Sequence, residues 1–363
     1  MQSKNKVINV LIISYFFQPD KVVGALRTSY WYKKFLQEPN FEIEVITANK
    51  ESKSNDIFVV EQSHQFKWYH FVKDLGLLWL KDLKVFFLSN AKVKKPDVVI
   101  ISGSPFLHFS IGRILKKKYN CKVVLDYRDP FSDNPGFKTS RFKKWIKLLF
   151  EFNFNRSADG FITVNNYCAH LIQGFFTKKN IIIQNGYDES IQPILKPVNT
   201  VDLSFCYTGK FYFDPNPMVD AFNTLGVSLV YVGPSLIKSS NSFDNRGFVS
   251  YNESVNIIAN SDVGIIQTYG EDFQSTTKIF DYIRCKKIIL IVSDLYLEQG
   301  SIHEELKKYP NVFWVKNDSK SILEGVKKIQ ASTYISPSKE FEVKYSRKYQ
   351  FDKLVKFIQE FNV

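Results

Sequence analysis

Read from the amino terminus, apolar residues arrive in short unbroken runs rather than in alternation with polar ones. VINVLIISYFF, FEIEVITA, PDVVIISG, CKVVLDY, DGFITVN and NIIIQNGYDES follow one another through residues 1–190, with helical or irregular stretches between them. Continuous apolar runs spaced by helices predict parallel strands buried on both faces. The loop QPDKVVGA is expected to lead from the first strand into a helix starting near Leu26. Two prolines and little periodicity in residues 190–202 (SIQPILKPVNTVD) predict a linker. The pattern then restarts in LSFCYTGK, VSLVYVG, DVGIIQTYG, KKIILIVS and NVFWVKN. The fold class is therefore α/β, with two doubly wound parallel-sheet units in tandem, residues 1–190 and 191–343. Residues 344–363 form a terminal helix expected to cross back to the first unit. Its stripe of Phe351, Leu354, Val355 and Ile358 has the i, i+3, i+4, i+7 spacing of one helical face.

Composition adds an asymmetry. Of the 363 residues, 44% are apolar and 16% aromatic, which excludes a disordered or fibrous chain. The net charge is +13, yet residues 1–190 hold 29 Lys and Arg against 17 Asp and Glu, while residues 191–363 hold 20 against 19. A basic half and a neutral half are expected to meet different partners. Cys121, Cys168, Cys206 and Cys285 stand far apart without a C-x-x-C pair, so reduced thiols are expected and neither a disulfide framework nor a zinc site. The run Val7–Phe17 follows two lysines as a leader would, but it contains Asn9 and continues into Gln-Pro-Asp-Lys. It is also too short to cross a bilayer. It reads as a buried strand.

In open α/β sheets ligands bind beyond the carboxyl ends of the strands. The strand-to-helix loops of both halves are thus the expected seat of chemistry, lining a shared cleft. Gln18–Arg27 puts Gly24 near a helix start, with Arg27 beside it. This suits an anion cradle of free amides and a guanidinium, or an ordinary tight turn with a surface arginine. Ser102–His108 ends in a histidine fitted to a surface position or to a site. Arg128 and Asp129 follow CKVVLDY, as a structural ion pair or as groups offered to a substrate. In the second half Gly209 and Lys210 end a strand with a glycine and a cation. Ser275, Thr276 and Thr277 precede a helix and suit caps or diphosphate contacts. Lys278 adds charge there, and Asp281, a turn later, can accept from vicinal hydroxyls such as those of a ribose. The plainer reading is a capped helix with scattered surface charge.

Taken in order, LIISYFFQPDKVVGALR, PDVVIISGSPFLHFSIGRILKKK, KVVLDYRDPFSD, DGFITVN and IIIQNGYD, then YTGKFY, YVGPS, GFVSYNESVNIIANSDVGI and STTKIFDYIRCKKIIL, resemble the GT-B glycosyltransferases of the retaining family 4 type. The likeness runs over nearly the whole chain. It implies two facing Rossmann-like domains, the C-terminal one holding most of a nucleotide-sugar donor and the N-terminal one the acceptor. It places Asp281 at the ribose-binding end of the family's Glu-x7-Glu motif and gives Ser275, Thr276 and Thr277 diphosphate contacts. Lys210 takes the place of the arginine usual after the strand-end glycine, here Gly209. Gly24 falls in the glycine loop beneath the diphosphate. The chain departs from the pattern at three points. Phe273 stands where the first glutamate belongs, so Glu271 or Asp272 fills that role only with a shifted loop. The second cation after Lys210 is absent, leaving Lys278 to compensate. Arg128 stands where many relatives use a histidine.

The resemblance implies departure of a nucleoside diphosphate, whose charge Lys210, Lys278, Arg27 and helix N-termini can stabilise. No Asp-x-Asp occurs in the chain, so catalysis without a metal or other cofactor is expected. Arg128 sits near the transferred sugar, and Asp129 or Glu271 orients hydroxyls. Phe66–Lys95 and Gly136–Arg156 interleave aromatic residues with lysines. Such helices either pack their apolar faces on the core or lie in a membrane interface. With no nucleic-acid motif present, an anionic membrane surface and a saccharide or lipid-linked acceptor are the expected partners. This implies a cytoplasmic enzyme, peripheral on the inner face of the membrane, building a surface polysaccharide such as lipopolysaccharide or capsule, or a glycolipid. The alternatives are a nucleotide-sugar 2-epimerase of the same fold and a non-catalytic assembly subunit.

Overall fold

A computed structural model describes residues 6–20, 22–68, 70–89, 92–135, 139–173, 178–234 and 243–361. Parts of the segments singled out above, namely Lys21, Tyr69, Asn90, Ala91, residues 136–138 and Ser235, lie outside the described residues. The chain forms two compact units, Met1–Gln184 with Phe351–Val363, and Asn185–Gln350.

In the first unit the apolar runs form β1 (Ile8–Ser14), β2 (Phe41–Thr47), β3 (Ile57–Val59), β4 (Val98–Ser102), β5 (Lys122–Asp126), β6 (Gly160–Thr163) and β7 (Lys179–Ile182). They make a parallel sheet in the order β3-β2-β1-β4-β5-β6-β7. The helices are α1 (Val23–Phe35), α2 (Leu75–Leu88), α3 (Ile111–Tyr119), α4 (Arg141–Ser157) and α5 (Asn166–Gln173). Alternate strand residues face opposite layers, as the two-residue period requires. Ile100 and Val124 join a core with Trp31 and Phe35 of α1. Their neighbours Ile101 and Val123 lie against Gly112 of α3, where a Cβ would come within 3.1 and 2.8 Å of them. Burial on both faces explains why these runs lack polar alternation.

The second unit repeats the plan with β8 (Phe205–Thr208), β9 (Leu229–Val232), β10 (Phe243–Asn245), β11 (Val263–Thr268), β12 (Ile288–Ser293) and β13 (Val312–Lys316), in the order β10-β9-β8-β11-β12-β13. Its helices are α6 (Asn216–Leu225), α7 (Tyr251–Asn260), α8 (Lys278–Arg284), α9 (Gly300–Leu306), α10 (Ser319–Gln330) and α11 (Lys339–Lys344). The final helix, α12 (Arg347–Gln359), adds Phe351, Leu354, Phe357 and Ile358 to the core of the first unit. Among the described residues no helix is long and apolar enough to cross a membrane.

Three details differ from the sequence expectation. The first helix starts at Val23, ahead of Leu26. The three-residue edge strands β3 and β10 carry too little pattern to be seen in advance, and pairing with β2 and β9 creates them. The units divide at 184/185 and 350/351 rather than at 190/191 and 343/344. Tyr187 donates its amide to the Tyr345 carbonyl at 3.0 Å and bridges to Ser346, which ties both connecting segments into the second unit.

Candidate functional site

In each sheet the strand order reverses once, between β1 and β4 and between β8 and β11. Ligands of doubly wound sheets bind at such switch points, beyond the carboxyl ends of the strands. The second switch point brings together the loop after β8, with Gly209 and Lys210, and the loop from β11 to α8, which runs from Tyr269 to Thr277.

Gly209 has φ +105°, a conformation open to glycine and strained for other residues. A Cβ there would lie 2.8 Å from Cε and 3.2 Å from Nζ of Lys278. The missing side chain is thus the space that the Lys278 ammonium occupies. That ammonium sits 3.9 Å from the ring centre of Tyr207 and 5.6 Å from that of Tyr212. Tyr207 in turn stacks on Phe211, with centroids 4.5 Å apart. Lys278 makes no ion pair among the described residues, so ring faces are the compensation for its half-buried charge. Burial brings its pKa down to about 7. Lys210 is exposed, also without an ion pair among the described residues, and its carbonyl accepts from the Tyr207 hydroxyl at 2.6 Å.

The loop before α8 serves itself as much as any ligand. Gln274 accepts from the Thr268 hydroxyl and the Tyr269 amide at 2.7 and 3.1 Å. Ser275 does not point to open space: its hydroxyl donates to the buried carboxylate of Glu305 at 3.2 Å. Thr277 is exposed and its side chain makes no capping bond. Thr276 is half-buried, as is Glu271 in the loop itself. Asp281 is half-buried, and burial raises its pKa to about 6. Its Oδ1 already accepts from the Tyr251 hydroxyl at 2.6 Å. Arg347, paired with Asp188 at 3.1 Å, lies over the Tyr251 ring. Tyr251 and Glu305 were not legible in the sequence, because neither stands in the loops that carry the glycines and cations.

At the first switch point, strand register puts Ser14, Ser102 and Asp126 in one row at the carboxyl edge. Asp126 is fully buried and accepts from the Ser102 hydroxyl at 2.7 Å. Arg27 is a correction to the surface or anion-cradle reading. Its side chain is 3% exposed, and Nη2 lies 3.2 Å from Asp126, an ion pair whose geometry falls short of a hydrogen bond. Its guanidinium stacks 4.7 Å over Trp31, and burial lowers its pKa, with Asp126 opposing. Arg128 takes the outer position. Its guanidinium lies over Gly24, where a Cβ would come within 3.2 Å of it, and donates to the carbonyls of Gly103 and Ser104. Asp129 is exposed, so Arg128 and Asp129 do not act as a buried pair. His108 is fully buried beside Trp79, not on the surface, and burial pulls its pKa down to about 3.

Residues 25–191 match the model of Glycosyltransferase Family 4. The matched segment, which covers most of the first unit, is similar to Glycosyltransferase Family 4. No curated protein matches the sequence. Several solved structures share its fold. Sucrose-phosphate synthase from Thermosynechococcus elongatus superposes with a TM-score of 0.68 at 11% identity, over 98% of this chain and 99% of that one. The catalytic domain of starch synthase IV from Arabidopsis thaliana, bound to ADP and acarbose, gives 0.61 at 12%, over 98% and 99%. A protein assigned as a UDP-N-acetylglucosamine 2-epimerase from Listeria monocytogenes gives 0.58 at 11%, over 97% and 96%. The chain therefore has the GT-B fold of these structures. Of the first-unit residues singled out, Arg27, Arg128 and Asp129 lie inside the family match, and Gly24 stands one position before it.

Proposed function

We propose that this chain is a glycosyltransferase that moves a sugar from a nucleotide-sugar donor to a saccharide acceptor, lipid-linked and used for a surface polysaccharide or glycolipid. The observation that carries the reading is the Lys278 ammonium, which makes no ion pair among the described residues and is held under Gly209 at the second switch point, with the exposed Lys210 next to that glycine. In the reaction the anomeric C–O bond breaks and the electron pair leaves with the nucleoside diphosphate. The acceptor oxygen forms the new bond to the anomeric carbon. With retention, attack comes on the face of departure, and the leaving phosphate oxygen takes the acceptor proton. Lys278 and Lys210 stabilise the diphosphate charge where it develops. Lys278 fills the role left open by the missing second cation, and no metal is called on. Asp281 holds the ribose hydroxyls by exchanging its Tyr251 bond for them. Thr276, Thr277 and the first amides of α8 contact the diphosphate, while Ser275 stays on Glu305. Arg128 over Gly24 faces the transferred sugar, and Asp129 and Glu271 orient hydroxyls.

The test is a panel of nucleotide sugars with saccharide and lipid-linked acceptors, in buffer containing EDTA. Transfer that survives EDTA and falls in Lys278→Met supports the reading. Nucleotide-sugar binding without turnover on any acceptor favours an assembly subunit instead. The epimerase reading rests on the Listeria likeness and on the carboxylates Glu271 and Asp281. Inversion at the second sugar carbon without an acceptor would establish it.

A further inference from the structure

Helix α4 packs only part of its apolar surface on the core. The residues it buries are Phe154, which packs on Phe109 and Phe131, and the polar Glu151 and Asn155, held by Ser132 and by the Tyr127 hydroxyl. The residues it exposes include Phe142, Trp145, Leu149 and Phe152, which are 43–58% accessible. Their spacing puts them on one face of the helix over a length of about 15 Å. The first two rings stack, with centroids 6.5 Å apart, and Phe71 from the loop before α2 meets Phe142 edge-on at 6.0 Å. Phe71 is itself exposed, and Trp68, three residues earlier, is 93% accessible. Exposed cations border this apolar strip. Arg141 and Lys143 stand at its start and Arg156 at its end, with Lys67 and Lys73 on the neighbouring loop. By contrast, α2 buries half of its large apolar residues, Leu78, Trp79, Leu80, Leu83 and Phe87, whereas α4 buries Phe154 alone among its own, so the core accounts for much of α2 and little of the outer stripe of α4.

We infer that the exposed face of α4, with Phe71 and Trp68, docks the first unit on an anionic lipid surface. An apolar strip rimmed by positive charge fits that occupant. The rings enter the headgroup–acyl boundary, and the cations meet lipid phosphates, each adding about 1 kcal/mol near the surface. The excess of basic residues in the first half of the chain acts in the same direction. A second copy of the chain would present the same cations and meet repulsion along the rim. The inference gives the lipid-linked acceptor proposed above a surface to be met on, but it does not depend on transfer.

Co-flotation tests it, with vesicles of phosphatidylcholine alone and of phosphatidylcholine and phosphatidylglycerol in equal parts. The chain should float with the anionic vesicles, less so as salt rises, and should stay behind with the neutral ones. The double variant W145S/F152S changes exposed positions and should keep its Tm while losing about tenfold or more in affinity. The variant W145F should bind as the natural chain does, and R141E/K143E should bind weakly. Absence of flotation with either vesicle overturns the inference. So does undiminished binding by W145S/F152S, a self-association that this variant dissolves in place of lipid binding, or binding to single-stranded RNA and not to vesicles. Nucleotide-sugar affinity measured without lipid reports on the transfer reading alone, so failure of either reading leaves the other standing.

Discussion

Lys278 combines two properties that a catalytic cation needs at a developing diphosphate. It is held in a fixed place, and among the described residues it pairs with no carboxylate that a ligand would have to displace. Removing one such donor costs on the order of 10²-fold in turnover in comparable sites. Lys278→Met should show a loss of that size in kcat for transfer, with a smaller change in nucleotide affinity. The lowered pKa also sets a sign. The folded chain releases this proton near pH 7, far below an unfolded lysine, so the group opposes folding most at low pH and its cost fades as pH rises above 7. Lys278→Met should therefore raise Tm at pH 6 and do so less at pH 9, as read by calorimetry. Binding of a nucleotide sugar, whose diphosphate does not titrate here, should weaken from pH 6 to pH 8 in the natural chain and stay level in the variant. Gly209→Ala tests the same geometry from the other side. A methyl group 2.8 Å from Cε must push the lysine away, and nucleotide-sugar affinity should fall about tenfold while the sheet stays intact.

At the scale of elements, α4 shows how a helix can follow its sequence and still surprise. Its apolar and basic residues are plain in the sequence, and so is the choice between a core-facing and an outward-facing stripe. The choice was settled by Glu151, which turns inward to Ser132 beside the Tyr127 and Asn155 pair. Burial raises the Glu151 pKa to about 7. A carboxyl with a raised folded pKa supports folding fully below its unfolded value and loses that support as pH climbs through the folded one. Denaturant unfolding should show stability falling between pH 5 and pH 8. Glu151→Gln should lessen the fall, by up to about 3 kcal/mol. The loop from β11 to α8 carries a related lesson. Its hydroxyls suit caps or diphosphate contacts in the sequence, yet Ser275 is committed to Glu305, which comes from α9 thirty residues on.

For the molecule as a whole, sequence and fold agree on two parallel sheets with a terminal helix that belongs to the first. Phe351 of α12 is 1% exposed and meets Phe35 of α1 with centroids 4.8 Å apart. Phe351→Ala should cost about 3–5 kcal/mol. Hydrogen exchange should then quicken in peptides from residues 1–184 and leave those from 185–350 near their original rates.

The strands of both sheets, except the two short edge strands, were legible because burial on both faces demands long apolar runs, and such runs survive in one dimension. The doubly wound class was expected from the same strand-and-helix rhythm, whereas the place where strand order reverses, between β8 and β11, is set by the tertiary pairing. What the rhythm does not encode is the state of each polar group once buried. That Arg27 is sunk against Asp126 and Trp31, that Tyr251 occupies Asp281, and that the Lys278 charge rests on aromatic faces are outcomes of contacts between distant segments. The physical reason is that hydrophobic burial is roughly additive along the chain, whereas the free energy of a buried charge depends on the few groups the fold happens to set beside it.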